Sequence, residues 1–407
     1  MITEIDRFLS DSGKSIKRSA IREILKLLQK PEMISFAGGL PAPETFPVAE
    51  LREILEEVIE KHGAEALQYG TTEGDPMLRE ALAERHNRQG LKTGIENIII
   101  TTGSQQAIDL ISKIFIDRGD YVLCGLPSYL GGINTFLSYG ARMKGIPVDS
   151  EGMVPEELEK SIIGLKSKGG KIKFLYVIPD FQNPSGTTIP ESRRKQIIEM
   201  AERHDLLIVE DCPYREIRFE GEPQRLMYEM DNSGRVITLF TFSKIFAPGF
   251  RVGWILGNPV ILDKIVMAKQ TNDLCTSPFV QRVIAIYIKR GLLEGNILKT
   301  IDLYRNRRDQ MIKCLGKYMP KGVSWTEPHG GLFLFVTLPA YLDAEEIFNR
   351  AIEKNVAFVA GTTFFCNNEG RNTFRINFSF CGNNIIEEGI KRLAGVIRSA
   401  IEEKSRN

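Results

Sequence analysis

Lys244 follows Ser243 at the end of an apolar run, residues 236–242, that is long enough for a buried strand. A lysine at such a strand end is a candidate for Schiff-base chemistry, because burial or a neighbouring cation lowers the basicity of its amine. Arg251 follows a Pro-Gly pair in the same segment and could bind a phosphate through its guanidinium donors. Taken singly, a lysine near an arginine more often marks a solvated surface.

Two further apolar runs lead into polar groups. Residues 206–209 precede Asp211 and Tyr214, and residues 174–178 precede Asn183. A carboxylate that closes a buried strand is costly unless it meets a cation, so Asp211 could face a protonated heterocycle with the Tyr214 hydroxyl nearby. Asn183 could reach a ring oxygen at the same edge. The alternatives are an aspartate that caps a turn and a plain Asn-Pro-Ser-Gly turn.

A fourth run, residues 98–100, leads into Gly103, and a helix is predicted to begin immediately afterwards. The free backbone N–H groups and the dipole of a helix N-terminus favour a phosphate, and Ser104 adds a hydroxyl donor. The alternative is an ordinary serine cap.

The four strand ends are predicted to meet. Continuous apolar runs are typical of strands buried on both faces, hence of a mostly parallel sheet between helices. Ligands of such sheets bind at the carboxyl ends of the strands. A phosphate-binding helix start, a carboxylate, a lysine and an arginine at one edge match the needs of pyridoxal phosphate. Its aldehyde needs a lysine, its pyridine nitrogen a carboxylate, its 3-oxygen hydrogen-bond donors, and its phosphate N–H groups and an arginine.

The order and spacing of these motifs resemble the fold type I pyridoxal-phosphate aminotransferases of class I and II, over nearly the whole chain. The segment Ser-Lys-Ile-Phe-Ala-Pro-Gly-Phe-Arg-Val-Gly-Trp at residues 243–254 is close to the lysine signature of that family. Asn-Pro-Ser-Gly at 183–186 and Asp-Cys-Pro-Tyr at 211–214 match two more of its motifs.

The resemblance implies a role for each matching residue. Lys244 would link to the cofactor aldehyde and shuttle a proton, with Asp211 and Tyr214 as the other catalytic residues. Arg375 would bind the α-carboxylate of the substrate, with Gly39 and Asn183 beside it. The implied cofactor-binding residues are Ser104, Gln105, Tyr129, Asn183, Asp211, Tyr214, Ser243, Lys244, Arg251 and Tyr69. Tyr69 would reach the phosphate of a neighbouring subunit, which implies a homodimer with shared active sites.

The N-terminal segment is similar to the branch that contains 2-aminoadipate, kynurenine and multi-substrate aminotransferases. Residues 19–28 are predicted to form an amphipathic helix that begins at Ser19. In that branch the arm lies over the active site, so Arg22 is a candidate for binding a distal substrate carboxylate. The alternative is that Arg22 is an exposed polar position on this helix.

Composition argues against several other classes. With 53 Lys+Arg against 52 Asp+Glu, the formal net charge is +1, which does not suit a nucleic-acid binder. No apolar run approaches the ~18 residues of a membrane helix, and the N-terminus lacks the apolar core of a secretory signal. Six scattered cysteines without a C-x-x-C pair and four separated histidines indicate reduced thiols in a cytoplasmic protein and no metal site.

The pattern predicts an α/β protein in three parts. Residues 1–45 form the arm, residues 46–290 a large cofactor-binding domain, and residues 291–407 a small α+β domain. The large domain is expected to hold a mostly parallel, seven-stranded-type sheet with helices on both faces. In the small domain, apolar and polar side chains alternate over residues 373–380, which predicts a half-buried strand.

The predicted function is transfer of an amino group from an L-amino acid to 2-oxoglutarate by a ping-pong mechanism. The amino acid could be 2-aminoadipate, an aromatic or branched-chain residue, or another. Two alternatives remain: another pyridoxal-phosphate reaction such as β-elimination, and a transcription regulator with an aminotransferase-like domain. The regulator would need a helix-turn-helix segment, for which the stretch before the Gly-Gly pair at residues 38–39 is too short.

Overall fold

The apolar runs of the sequence form the strands of one large sheet. In the computed structural model, which describes residues 5–15 and 32–406, strands assemble into three sheets. The strands are β1 Ile34–Ser35, β2 Ile98–Thr101, β3 Tyr121–Leu126, β4 Arg142–Asp149, β5 Gly152–Met153, β6 Ile172–Val177, β7 Leu207–Asp211, β8 Val236–Thr241, β9 Gly253–Leu256, β10 Ser324–Trp325, β11 Phe333–Thr337, β12 Val356–Ala357, β13 Val359–Ala360 and β14 Thr373–Asn377.

The large sheet has the order β2-β9-β8-β7-β6-β3-β4-β5. Neighbours from β8 through β4 pair in parallel, while β9 lies antiparallel to both β2 and β8. Six strands therefore point the same way, and their carboxyl ends share one edge with the amino end of β9. The predicted α/β fold is confirmed, with seven longer strands and the two-residue β5 added at the margin.

Successive residues of the central strands enter two separate apolar clusters. In β6, Phe174 and Tyr176 pack into one cluster, and Leu175 and Val177 pack into the other. Because both faces of the sheet are covered, the strands read as continuous rather than alternating apolar runs.

Helices cover the sheets and connect their strands. The α-helices are Asp11–Ser15, Val48–Ala66, Pro76–Arg88, Ser104–Phe115, Leu130–Ser138, Pro155–Lys166, Glu191–Arg203, Met227–Met230, Pro259–Gln270, Pro278–Lys289, Leu292–Tyr318, Ala344–Glu353 and Asn383–Arg406. Short 3-10 helices span Ile5–Phe8, Pro43–Thr45, Ile95–Asn97, Pro248–Phe250 and Gly361–Phe364.

The last third of the chain forms an antiparallel sheet of order β10-β11-β14-β13. The prediction of a half-buried strand over residues 373–380 is wrong: β14 ends at Asn377, and its polar side chains are as buried as its apolar ones. The N-terminal segment covers the polar face, because Arg375 donates to the Ala37 carbonyl and the Asn377 N–H donates to the Phe36 carbonyl.

That N-terminal segment is held by strand pairing. Its β1 pairs in parallel with β12, at Ile34↔Val356 and Ser35↔Ala357. The helix predicted for residues 19–28, with Arg22, lies outside the described residues. The predicted division at 45/46 and 290/291 stays a prediction; its second boundary falls between the helices Pro278–Lys289 and Leu292–Tyr318.

A cluster of side-chain ion pairs stabilises the segment that follows β6. The carboxylate of Asp180 lies 2.9 Å from Arg194, 3.0 Å from Arg218 and 3.6 Å from Arg215, and the side chains of Asp180 and Arg194 are 0% exposed. This cluster ties the turn that carries Asn183 to the neighbouring helix.

We expect Asp180→Asn to lower the free energy of unfolding by about 3–5 kcal/mol, because it leaves buried guanidinium charge without its carboxylate. Urea denaturation measures the change. Glu157→Gln, in the exposed Glu157–Lys160 pair, is the control and should cost less than ~1 kcal/mol. Equal losses in the two variants would contradict the structural role of this cluster.

Candidate active site

The carboxyl edge of the large sheet gathers most of the predicted site residues. Asp211 is the last residue of β7, and Lys244 follows β8. Arg251 precedes β9, whose amino end lies at this edge because the strand runs in the opposite direction. The topology therefore brings together residues that are far apart in the sequence.

Lys244 is half-buried, and its Nζ donates a hydrogen bond to the Gly39 carbonyl at 2.7 Å. Burial, together with the cations Arg375 and Arg251, lowers the pKa of its amine to about 8. A substantial neutral fraction near neutral pH makes this amine a nucleophile and a base.

Asp211 is buried, and its two carboxylate oxygens differ. Oδ2 accepts a 2.6 Å hydrogen bond from the Tyr176 hydroxyl, whereas Oδ1 has no hydrogen-bond partner. Burial raises the pKa of Asp211 to about 7, against the opposing effect of the Tyr176 hydrogen bond. A buried, unpaired carboxylate oxygen suits a ligand that presents a positively charged N–H.

Asn183 and Tyr214 are buried side by side. The Asn183 amide donates to the Tyr214 hydroxyl at 3.4 Å, while its Oδ1 accepts from Arg375 at 2.8 Å. Burial raises the pKa of Tyr214 above its ordinary value, so the phenol stays protonated and can donate. Together they offer two donors to an oxygen at this edge.

Arg375 is a buried cation without a carboxylate. Its Nη2 donates to the Ala37 carbonyl at 2.7 Å, and its guanidinium lies over the rings of Phe333 and Phe364, at 4.1 and 5.0 Å from their centroids. Burial lowers its pKa to about 10, its Nε has no hydrogen-bond partner, and it forms no ion pair with any acidic residue in the described ranges. A guanidinium in this state favours an incoming anion.

The start of the helix Ser104–Phe115 and Arg251 form a cradle. Gly103 precedes the helix at φ 77°, and a Cβ there would lie only 2.6 Å from Arg251 Nη2, so a larger residue would collide with the guanidinium. Arg251 also approaches Ser243, with Nη1 to Oγ at 3.4 Å. Free helix N–H groups beside a guanidinium and two serine hydroxyls suit a phosphate.

Gln105 and Tyr129 lie next to each other on the far side of this cradle. The Tyr129 hydroxyl donates to the Gln105 amide oxygen at 3.3 Å, and the Gln105 amide nitrogen donates to Thr135 at 2.8 Å. Tyr129 is half-buried and precedes the helix Leu130–Ser138.

Two predicted residues are not brought into this cluster. Tyr69 is 79% exposed in the loop between the helices Val48–Ala66 and Pro76–Arg88, and its hydroxyl bonds to no described residue. Arg22 lies outside the described residues.

The sequence reasoning missed several groups. Tyr176 lies in the apolar run at residues 174–178, which by itself predicts only a strand. A buried tyrosine hydroxyl needs a hydrogen-bond partner, and this is the signal in the sequence that points to its contact with Asp211. Phe333, Phe364 and the Ala37 carbonyl surround Arg375 from remote segments, and no local pattern could have revealed them.

The site fits pyridoxal phosphate. Asp211 Oδ1 offers a free buried acceptor for a pyridinium nitrogen, and Lys244 offers an amine of lowered pKa for an aldehyde. Across residues 5–15 and 32–406, no three His, Cys, Asp or Glu side chains are grouped as metal ligands. In the same ranges, no helix is both long and apolar enough to span a bilayer.

Comparisons with known proteins agree with this chemistry. The family model described as aminotransferase class I and II matches residues 32–393. The chain is 46% identical to aromatic-amino-acid aminotransferase 1 of Thermococcus litoralis over 401 residues, covering 98% of this chain and 96% of that protein. It is 39% identical to the 2-aminoadipate transaminase of Thermus thermophilus over 389 residues, covering 95% of each.

A solved structure shows the same architecture. The kynurenine aminotransferase of Pyrococcus horikoshii matches with a TM-score of 0.94 and 45% identity, covering 98% of this chain and 99% of that one. The predicted family, cofactor and enzyme class are confirmed. On this evidence, the chain belongs to the class I and II aminotransferases, which are pyridoxal-phosphate enzymes of fold type I.

Proposed function

We propose that this aminotransferase takes the amino group of an aromatic L-amino acid or of 2-aminoadipate and passes it to 2-oxoglutarate in two half-reactions. The observation that carries the proposal is the convergence of three buried or half-buried groups without counter-ions: the Lys244 amine, Asp211 Oδ1 and the Arg375 guanidinium. They offer a nucleophile, an acceptor for a cationic ring and a binding site for a carboxylate.

The residues proposed to hold the cofactor follow from their positions around the cleft. Its phosphate would be held by Ser104, Gln105, Ser243 and Arg251. Its ring would be held by Tyr129 and, at the ring nitrogen, by Asp211, while Asn183 and Tyr214 would donate to its 3-oxygen. When bound, the cofactor supplies an aldehyde that accepts the amino group and a ring that delocalises electrons from the substrate Cα.

Asp211 would hold the ring nitrogen of the cofactor and keep it protonated. Burial raises the pKa of Asp211 to about 7, because it disfavours the ionised carboxylate. A positive charge placed at Oδ1 has the opposite effect and stabilises the ionised form. Tyr176 fixes the carboxylate through Oδ2 and leaves Oδ1 turned to the ligand. Because one oxygen is bound by protein and the other is left for the ligand, the carboxylate keeps one orientation.

Lys244 moves the proton of the substrate Cα. A base works best when its pKa lies near the working pH, and about 8 meets that condition. The Gly39 carbonyl accepts a hydrogen bond from Nζ at 2.7 Å and so holds the amine next to the N-terminal segment.

Arg375 binds the α-carboxylate of each substrate. Asn183 Oδ1 and the Ala37 carbonyl fix Nη1 and Nη2, and the rings of Phe333 and Phe364 limit the movement of the guanidinium plane. This pre-ordered fork favours paired hydrogen bonds to a carboxylate.

The proposed donors rest on the relatives, whose names give aromatic amino acids, 2-aminoadipate and kynurenine as substrates. Arg22 is proposed to bind the distal carboxylate of an acidic donor. The exposed Tyr69 supports a homodimer in which this side chain reaches the phosphate of the partner's site. Six free cysteines support a cytoplasmic location.

The function is tested with a panel of amino acids and the Lys244→Ala variant. We expect transamination of aromatic donors and of 2-aminoadipate by the unaltered enzyme, and a fall of at least about 10²-fold in the variant, because it lacks the amine that moves the proton. Circular dichroism checks that the variant is folded. Full turnover in a folded Lys244→Ala protein would exclude Lys244 as the base.

The pH dependence of Lys244 can be measured on protein freed of cofactor. Since its pKa is lowered to about 8, the amine is neutral above that pH, and labelling by an amine-reactive reagent should rise about tenfold per pH unit up to about 8 and then level off. Lys317 is the internal control, because its hydrogen bond with Tyr318 raises its pKa. Peptide mass spectrometry quantifies both, and parallel curves would refute the lowered value.

Arg375 and Arg22 are proposed to have different roles in substrate recognition. Arg375→Ala should lower kcat/KM for every donor by about one to two decades, since a charged hydrogen bond is worth about 1.5–3 kcal/mol. Arg22→Ala should lower kcat/KM for acidic donors and leave it unchanged for leucine or aromatic donors. The reason is that only a distal carboxylate would be desolvated without a cation to compensate it. A uniform loss in the Arg22 variant would assign it to closing the site instead.

A further inference from the structure

Two cysteines from distant segments meet beside the active site. Cys124 is fully buried in β3, and Cys366 is half-buried in the loop after Gly361–Phe364. Gly145 of β4 is the in-register neighbour of Cys124, and the position of a Cβ on Gly145 lies 3.2 Å from Cys366 Sγ. The sulfur of Cys366 therefore fills the space that this glycine leaves open, next to the side chain of Cys124.

The two thiols are chemically unequal. The neighbouring Cys124 side chain lowers the pKa of Cys366, and the backbone N–H groups of Cys366 and Gly145 act in the same direction. The Cys366 side chain and full burial raise the pKa of Cys124 well above its ordinary value. Cys366 is thus the more reactive thiol and the more accessible one, and Cys124 is placed to react with it.

The loop that carries Cys366 also forms a wall of the substrate site. The Phe364 carbonyl accepts a 2.9 Å hydrogen bond from the N–H of Ser128, which lies between Cys124 and Tyr129 in the sequence. The ring of Phe364 lies 5.0 Å from the Arg375 guanidinium. A covalent bond at Cys366 would fasten this wall to the large sheet.

We propose that Cys124 and Cys366 form a redox-active dithiol, which a small-molecule disulfide converts into an intramolecular disulfide that restrains the Phe364 wall and slows turnover. The Cys366 thiolate attacks one sulfur of the small disulfide, forms a mixed disulfide and releases one thiolate. Cys124 then loses its proton and attacks Cys366 Sγ, which releases the second thiolate. Two electrons pass from the protein to the small disulfide, which leaves as two thiols.

Such a pair is compatible with a reducing compartment, because disulfides of cytosolic proteins are usually transient and serve catalysis or redox sensing. The effect on turnover rests on the proposed aminotransferase activity, whereas the cross-link is measured on the protein itself.

The test incubates the holoenzyme with oxidised glutathione and follows two readouts. Non-reducing peptide mass spectrometry should find a peptide that joins Cys124 to Cys366, and turnover with an aromatic donor should fall by most of its value and return after dithiothreitol. Cys366→Ser should keep the turnover of the reduced enzyme and lose both responses. Cys275→Ser removes another half-buried thiol and should keep both.

Absence of the joined peptide, or a glutathione adduct on Cys366 that never resolves, overturns the dithiol. A joined peptide with unchanged turnover overturns the restraint of the Phe364 wall. If the reduced enzyme transaminates no donor while the joined peptide forms, the proposed function fails and the dithiol stands.

Discussion

The carboxyl ends of β2, β6, β7 and β8 share one edge of a sheet that is covered on both faces. A polar side chain at such an edge has little water to satisfy it, so it must find a protein partner or a ligand. Tyr176 meets one oxygen of Asp211, and Asn183 meets both Tyr214 and Arg375. In this group, Asp211 Oδ1 and Arg375 Nε have no hydrogen-bond partner among the described residues.

This arrangement has an energetic cost when no ligand is bound. Lys244, Asp211 and Arg375 are held together with no ion pair to any acidic or basic residue in the described parts of the chain, and the pKa of each is shifted toward its neutral form. A cofactor that satisfies these groups binds the folded protein and not the unfolded one. The site is therefore expected to gain stability from the ligand for which it is built.

The large sheet could be predicted from the continuous apolar runs of the sequence. The residues at its edge could be predicted from the order of the motifs and from the likeness of residues 243–254 to the lysine signature of the family. What sequence could not provide were contacts between remote segments: the rings around Arg375, and the N-terminal backbone that buries the polar face of β14. The alternation at 373–380 predicts two distinct faces with the polar one toward water. The structure has the two faces, but the N-terminal segment covers the polar one.

The pairing of β1 with β12 has a consequence for how the enzyme is made. The N-terminal segment delivers the carbonyls of Ala37 and Gly39 to the site, and Ala37 contacts a residue 338 positions later in the chain. During synthesis, β1 has no strand partner until the much later residues of β12 have been made. Closing so long a loop is slow. Until then, Lys244, Asp211 and the phosphate cradle are present without the Ala37 and Gly39 carbonyls in place, so the proposed substrate site is expected to be complete only after β12 and β14 have been made.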